Sequence, residues 1–181
     1  VKEFVGFPKI PRLSRDIIVT EKIDGTNAQI YISEDGTEFL TGSRNRWITP
    51  DKDNHGFSKW AHEHKDELMK LGPGHHFGEW YGQGINCGYG LKEKRFALFN
   101  VKRWEDNSVR PACCEIVPIL YKGIFDLVVI EYCLKKLAFD GSSAAPGFMD
   151  PEGVMVFHIA ANHYFKKTIK HDDERKSQVN A

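Results

Sequence analysis

Apolar and polar positions alternate in short bursts along most of this chain, and a period of two predicts strands. Asp16–Lys22 (D-I-I-V-T-E-K), Ala28–Ser33 and Glu38–Ser43 are the first three, with Glu34-Asp35-Gly36 as a hairpin turn. The period lengthens over Gly56–Leu71, where Phe57, Trp60, Ala61, Leu68 and Leu71 recur at helical spacing until Gly72-Pro73 stops the run. Strand patterns return at His75–Tyr81, Arg95–Trp104 and Glu115–Tyr121. A second helix is predicted over Phe125–Ala138 with Asp126 as N-cap. The Gly/Ser/Ala/Pro-rich stretch Asp140–Pro151 reads as a loop, and strands Gly153–Ala160 and His163–Lys170 follow. Hairpin-linked strands with two clear helices point to an α+β fold of mainly antiparallel sheets flanked by helices. The expected organisation is one domain over residues 1–170 and a polar tail over 171–181.

Several charges interrupt these apolar strands, where burial is costly unless a charge is paired or ligated. Lys22 lies between Glu21 and Asp24, just before a Gly-Thr-Asn turn. Arg44 ends T-G-S-R, Glu79 stands among aromatics in H-F-G-E-W-Y-G, Glu152 opens E-G-V-M-V-F, and Lys166 and Lys167 interrupt Y-F-K-K-T-I. Each alone has a plain structural reading as a paired charge. Together, two carboxylates, several cations and a lone lysine before a glycine turn suit a triphosphate with a divalent metal.

Composition narrows the classes. Lysine plus arginine equals aspartate plus glutamate, 25 each, so any contact with nucleic acid has to use a local patch. No apolar run approaches the roughly 20 residues of a membrane span, and no signal-peptide pattern is present. The four cysteines, Cys87, Cys113, Cys114 and Cys133, form no C-x-x-C pair and read as reduced thiols, so the expected setting is cytoplasmic, with no membrane. His62 and His64 fall on different faces of a helix, and His75 and His76 alternate across a strand, so neither pair makes a transition-metal site. The glycine-rich loop Gly82–Gly90 follows a strand but opens no helix, unlike a dinucleotide-binding turn.

E-K-I-D-G-T-N resembles the K-x-x-G motif of the covalent nucleotidyltransferases, which include ATP-dependent DNA ligases, RNA ligases and mRNA capping enzymes. T-G-S-R resembles their arginine motif, F-G-E-W-Y-G the glutamate motif, and F-A-L-F-N-V the aromatic strand; E-G-V-M-V-F resembles E-G-x-V-V, and Y-F-K-K-T-I-K the closing lysine motif. The six follow in the family's order from Glu21 to Lys170. Asn27 stands where DNA ligases and capping enzymes usually carry arginine, which favours the RNA ligase branch.

The resemblance implies an ATP-grasp-like adenylation domain and an ATP-dependent RNA ligase, or the catalytic domain of one. Its cofactors would be ATP and Mg²⁺ or Mn²⁺. Its substrate would be RNA with 5′-phosphate and 3′-hydroxyl ends, with DNA as an alternative, in a role such as RNA repair. Lys22 would be the catalytic nucleophile, forming a lysyl-AMP intermediate. An ordinary lysine amine titrates near 10.4, so freeing its lone pair at pH 7 costs roughly 4–5 kcal/mol, and something must keep the flanking carboxylates off it. Glu21, Ile23, Asn27, Arg44, Glu79, Phe99, Lys166 and Lys167 would bind the nucleotide, and Glu152 the metal. Phe99 reads equally as an adenine-stacking ring or a core phenylalanine. The closing motif departs from the usual K-x-K: alternation sets Lys166 with Thr168 and turns Lys167 the other way, and the pattern leaves open which lysine reaches the phosphate. The residues after Lys167 are too few for a C-terminal accessory domain, so the expectation is either a catalytic domain or a minimal ligase. A DNA ligase, a capping enzyme and a non-catalytic nucleotide- or RNA-binding relic are the competing readings.

Overall fold

The computed structural model describes residues 2–173. Strands β1 (Asp16–Lys22), β8 (Ile119–Ile124), β9 (Gly153–His158) and β10 (His163–Thr168) form an antiparallel sheet in the order β10-β9-β1-β8. Strands β2 (Thr26–Ile32), β3 (Phe39–Ser43), β4 (Trp47–Ile48), β5 (Gly74–Gly82), β6 (Lys94–Leu98) and β7 (Cys114–Ile116) form the second, in the order β4-β3-β2-β5-β6-β7. Among the described residues only β6 and β7 pair in parallel. The fold is thus α+β and rich in antiparallel sheet, as the alternating pattern predicts.

β1 is apolar on both faces because both are covered. Ile17 and Val19 pack with Ile130, Cys133 and Leu137 of helix α4 (Leu127–Asp140), while Ile18 points into a cluster with Tyr81, Ala97 and Val117 between the sheets. β2 alternates strictly: Ala28, Ile30 and Ile32 face a core shared with Phe57 and Ala61 of α1 (Phe57–Glu63) and Leu68 of α2 (Lys65–Leu68). Asn27, Gln29 and Tyr31 take the opposite side. The layers are therefore helices, six-stranded sheet, four-stranded sheet, helix.

Three predicted elements differ. The helix expected over 56–71 is broken at His64 into α1 and α2 and ends as a 3₁₀ turn at Met69–Leu71. His62 Nδ1 bonds Ser58 O at 2.7 Å and His64 Nδ1 bonds Trp60 O at 2.8 Å, drawing on carbonyls of the helix itself. The strand expected over 95–104 stops at Leu98; Asn100 then caps α3 (Val101–Trp104), its side chain accepting from Arg103 N at 3.2 Å. The run 115–121 is two strands in different sheets, because Pro118 lacks the N–H a continuous ladder needs. The second helix is present, and the Asp126 carboxylate accepts from Val128 N at 2.8 Å at its N-terminus. Most of the tail expected over 171–181 lies outside the described residues.

Candidate active site

Lys22 is the last residue of β1, opposite Gly153 of β9. Its Nζ is ion-paired with Glu152, the residue before that partner, and both side chains are about one-fifth exposed. The Lys22 ammonium is the ionic partner of Glu152 Oε2, a buried oxygen that accepts no hydrogen bond.

After Lys22 the chain crosses from one sheet to the other through Asp24 and Gly25. Gly25 is required by close approach, since a Cβ there would lie 2.4 Å from Trp80 O and 2.8 Å from Tyr81 Cβ. Its N–H donates to Glu79 Oε1 at 3.1 Å. Asn27, paired across the sheet with Glu79, donates from Nδ2 to Oε2 at 3.0 Å. Burial pushes the Glu79 carboxyl up to about 7; nearby Lys22 and the bonds from Asn27 and Gly25 pull it down, and Glu152 pushes it further up. One amine and two carboxyl groups thus share a single electrostatic environment.

The carboxylates flanking Lys22 in sequence are held elsewhere. Glu21 is buried, accepting from Ser142 Oγ at 2.6 Å, Ser143 N at 2.7 Å and Ala144 N at 2.9 Å. Burial raises its pKa in spite of these three donors. Asp24 accepts from Asn86 Nδ2 at 2.8 Å, and its own N–H donates to Tyr89 Oη at 2.7 Å. Asn86 and Tyr89 have positive φ, 46° and 54°, inside the glycine-rich loop. That loop braces the turn after Lys22. Nothing in its spacing announces this, because the signal is a pair of left-handed non-glycine residues.

A cavity of about 570 Å³ is lined by Lys22, Ile23, Asn27, Arg44, Glu79, Phe99, Glu152 and Lys166, with part of Glu21. Thr20, Met155 and Tyr164 also line it, and no charge pattern flags them. Phe99 both packs against the inter-sheet cluster and faces the cavity. Lys167 is the expected site residue that does not join the others. It lies opposite Val154, on the α4 side, and its Nζ is 3.2 Å from Glu131 and 3.3 Å from Asp172. The pleat therefore turns Lys166 toward the cavity and Lys167 away from it.

Among the described residues no group of three or more His, Cys, Asp or Glu side chains is arranged to hold a metal. No helix among them is long and apolar enough to cross a membrane.

The sequence pattern of the RNA ligase family matches residues 15–175. No curated protein matches the chain. Among solved structures it is similar to Naegleria gruberi RNA ligase in several mutant forms. One with AMP and Mn is 20% identical, covers 86% of this chain and 50% of that one, and has a TM-score of 0.64. One with ATP and Mn is 21% identical over 86% and 50%, with a TM-score of 0.63. Another with AMP and Mn is 18% identical over 85% and 49%, with a TM-score of 0.65. At these identities the likeness is one of fold, and the chain spans about half the length of the solved relatives.

Proposed function

The chain belongs to the RNA ligase family, and from that premise we propose that it is the adenylating part of an ATP-dependent RNA-joining enzyme, with Lys22 as nucleophile. The observation that carries the reading is the convergence of Lys22, Glu79, Glu152, Arg44 and Lys166 on one cavity. An exposed lysine needs no such company, and a structural ion pair needs no adjoining cavity of nucleotide size. The ATP-grasp-like character of the domain belongs to the same proposal.

Lys22 Nζ, having shed a proton to solvent, attacks the α-phosphorus of ATP. The N–P bond forms as the bond to the bridging oxygen breaks, and pyrophosphate leaves with that electron pair. A 5′-phosphate oxygen of RNA then attacks the same phosphorus, the N–P bond breaks, and the lysine is regenerated. Finally a 3′-hydroxyl attacks the 5′-phosphorus, loses its proton, and expels AMP. Arg44 and Lys166 offset phosphate charge from two sides of the cavity. Glu79 accepts from a ribose hydroxyl, Phe99 offers a ring face to adenine, and Asn27 holds Glu79 in place. Glu152 would hold a divalent cation: its Oε2 is buried at the cavity wall, with the Lys22 ammonium as ionic partner and no hydrogen-bond donor besides. Such a cation, when bound, supplies positive charge at the phosphates.

The test is to incubate the chain with Mg²⁺ or Mn²⁺ and ATP labelled at the α-phosphate, and to look for label surviving denaturing electrophoresis. Label is expected in the parent and absent from Lys22→Ala. Equal labelling of that variant, or none in folded parent protein, overturns the proposal. Supplying 5′-phosphorylated RNA and DNA strands then reads the substrate.

A further inference from the structure

We propose that a groove leading out of the Lys22 cavity, along the face of the six-stranded sheet turned away from α1 and α2 and toward β9 and β10, seats a single-stranded stretch of RNA. The ligase reading above supplies the identity of the polymer; the groove stands on its own geometry.

This face carries rings that belong to none of the core clusters. Phe77 and Trp47 are each about half exposed. His75 is parallel to Phe77 within 8°, with centroids 5.9 Å apart, and its ring lies 4.7 Å from Tyr31 and 6.2 Å from Trp47. Strand alternation puts Glu79, Phe77 and His75 in one row on β5, so the rings begin at the Lys22 cavity and lead away from it. The four residue steps from His75 to Glu79 make that row about 13 Å long. This accommodates about four bases at a stacking step of roughly 3.4 Å.

The space over this row is a cavity of about 650 Å³. It is continuous with the first through Asn27, Arg44, Phe99 and Tyr164, which line both. Its walls carry Arg44, Lys102 and Arg103 and no carboxylate, in a chain whose opposite charges balance overall. Cations beside exposed ring faces suit a strand with charged phosphates and unpaired bases. A duplex stacks its bases on one another and offers none to Phe77 or Trp47.

The probe is a short, mixed-sequence, 5′-phosphorylated oligoribonucleotide carrying a fluorophore, titrated without ATP and read by anisotropy, alone or annealed to its complement. The parent chain is expected to prefer the single strand. Phe77→Ala and Trp47→Ala are each expected to weaken that binding between about fivefold and a hundredfold or more. Lys102→Glu is expected to flatten the slope of log affinity against log salt by about 0.7. Should Phe77→Ala fail to fold, the two exposed positions Trp47 and Lys102 carry the test. Single-strand affinity unchanged in variants that melt like the parent overturns the proposal, as does a parent that binds no single strand or prefers the duplex. Binding here needs neither ATP nor Lys22. A chain that labels at Lys22 with these variants silent keeps the ligase reading and loses the groove, whereas variant-sensitive binding without labelling does the reverse.

Discussion

Glu79 makes a measurable demand on the fold. Its carboxyl is raised from the ordinary 4.5 to about 7, chiefly by burial. Between those values the folded chain keeps a proton that the unfolded chain releases. Unfolding then releases a proton, and stability falls as pH rises. The contribution is fully present below about 4.5 and lost by the time pH passes 7. At roughly 1.4 kcal/mol per pH unit, the loss is about 3 kcal/mol. Glu79→Gln removes the titration. It also leaves either Gly25 N or Asn27 Nδ2 without its acceptor, a penalty of about 1–3 kcal/mol that does not vary with pH. The assay is urea unfolding of the nucleotide-free chain and the variant, followed by tryptophan fluorescence from pH 4.5 to 8. Glu21, also raised by burial, titrates in both proteins and cancels in the difference. The difference in unfolding free energy is expected to tilt by about 3 kcal/mol in the variant's favour across that range. A flat difference would mean that the Lys22 ammonium keeps Glu79 ionised throughout, and that burial has been given too much weight.

Three further outcomes follow from the same geometry. Gly25→Ala drives a Cβ to 2.4 Å from Trp80 O, so it should lower stability by about 2 kcal/mol or more and weaken labelling at Lys22, read by the urea midpoint and the ATP gel. Lys166→Ala should reduce that labelling tenfold or more, and Lys167→Ala by less than twofold, because only Lys166 lines the cavity; equal losses would refute the pleat assignment. Asp126→Ala should cost about 1 kcal/mol through the lost bond to Val128 N, visible as a lower melting temperature, while labelling is unaffected.

The antiparallel strands were legible because period-two alternation is strict wherever one face is covered, as at Ala28, Ile30 and Ile32. Less legible were places where a local side chain overrides the period. His62 and His64 draw on helix carbonyls, Asn100 caps a turn inside a strand-like run, and Pro118 passes the chain between sheets. In the site, the charges on apolar strands could be read as a group because an apolar strand leaves a charge in need of a partner, although of that group only Glu79 is buried and Arg44 and Lys166 are exposed. Asn86, Tyr89 and Ser142 could not, since polar loop residues look alike until their partners are known. Phe77 was hidden for a related reason, since an aromatic at an alternating position reads as core whichever face is covered, and Trp47 lay beyond the strand expected to end at Ser43.

The amine set among carboxylates is resolved by the pleat. Thr20 and Lys22 share the cavity-lining row of β1, and the side chain of Glu21, between them, is tied to the loop that follows α4. That loop starts at Gly141, where Ser142, Ser143 and Ala144 bind Glu21, and it ends at Glu152, the ionic partner of Lys22. Two adjacent residues of one strand therefore grip both ends of one loop from opposite faces. The separation keeps the Glu21 charge off the amine. It also makes the position of Glu152 depend on Glu21 through the loop's ends. Asp24 is drawn off separately by Asn86, whose Nδ2 also bonds Gly25 O at 2.8 Å and so locks the crossing that brings Glu79 against the site. The short motif around Lys22 thus works as a joint between two sheets, in which each acidic neighbour fixes a different wall of the cavity.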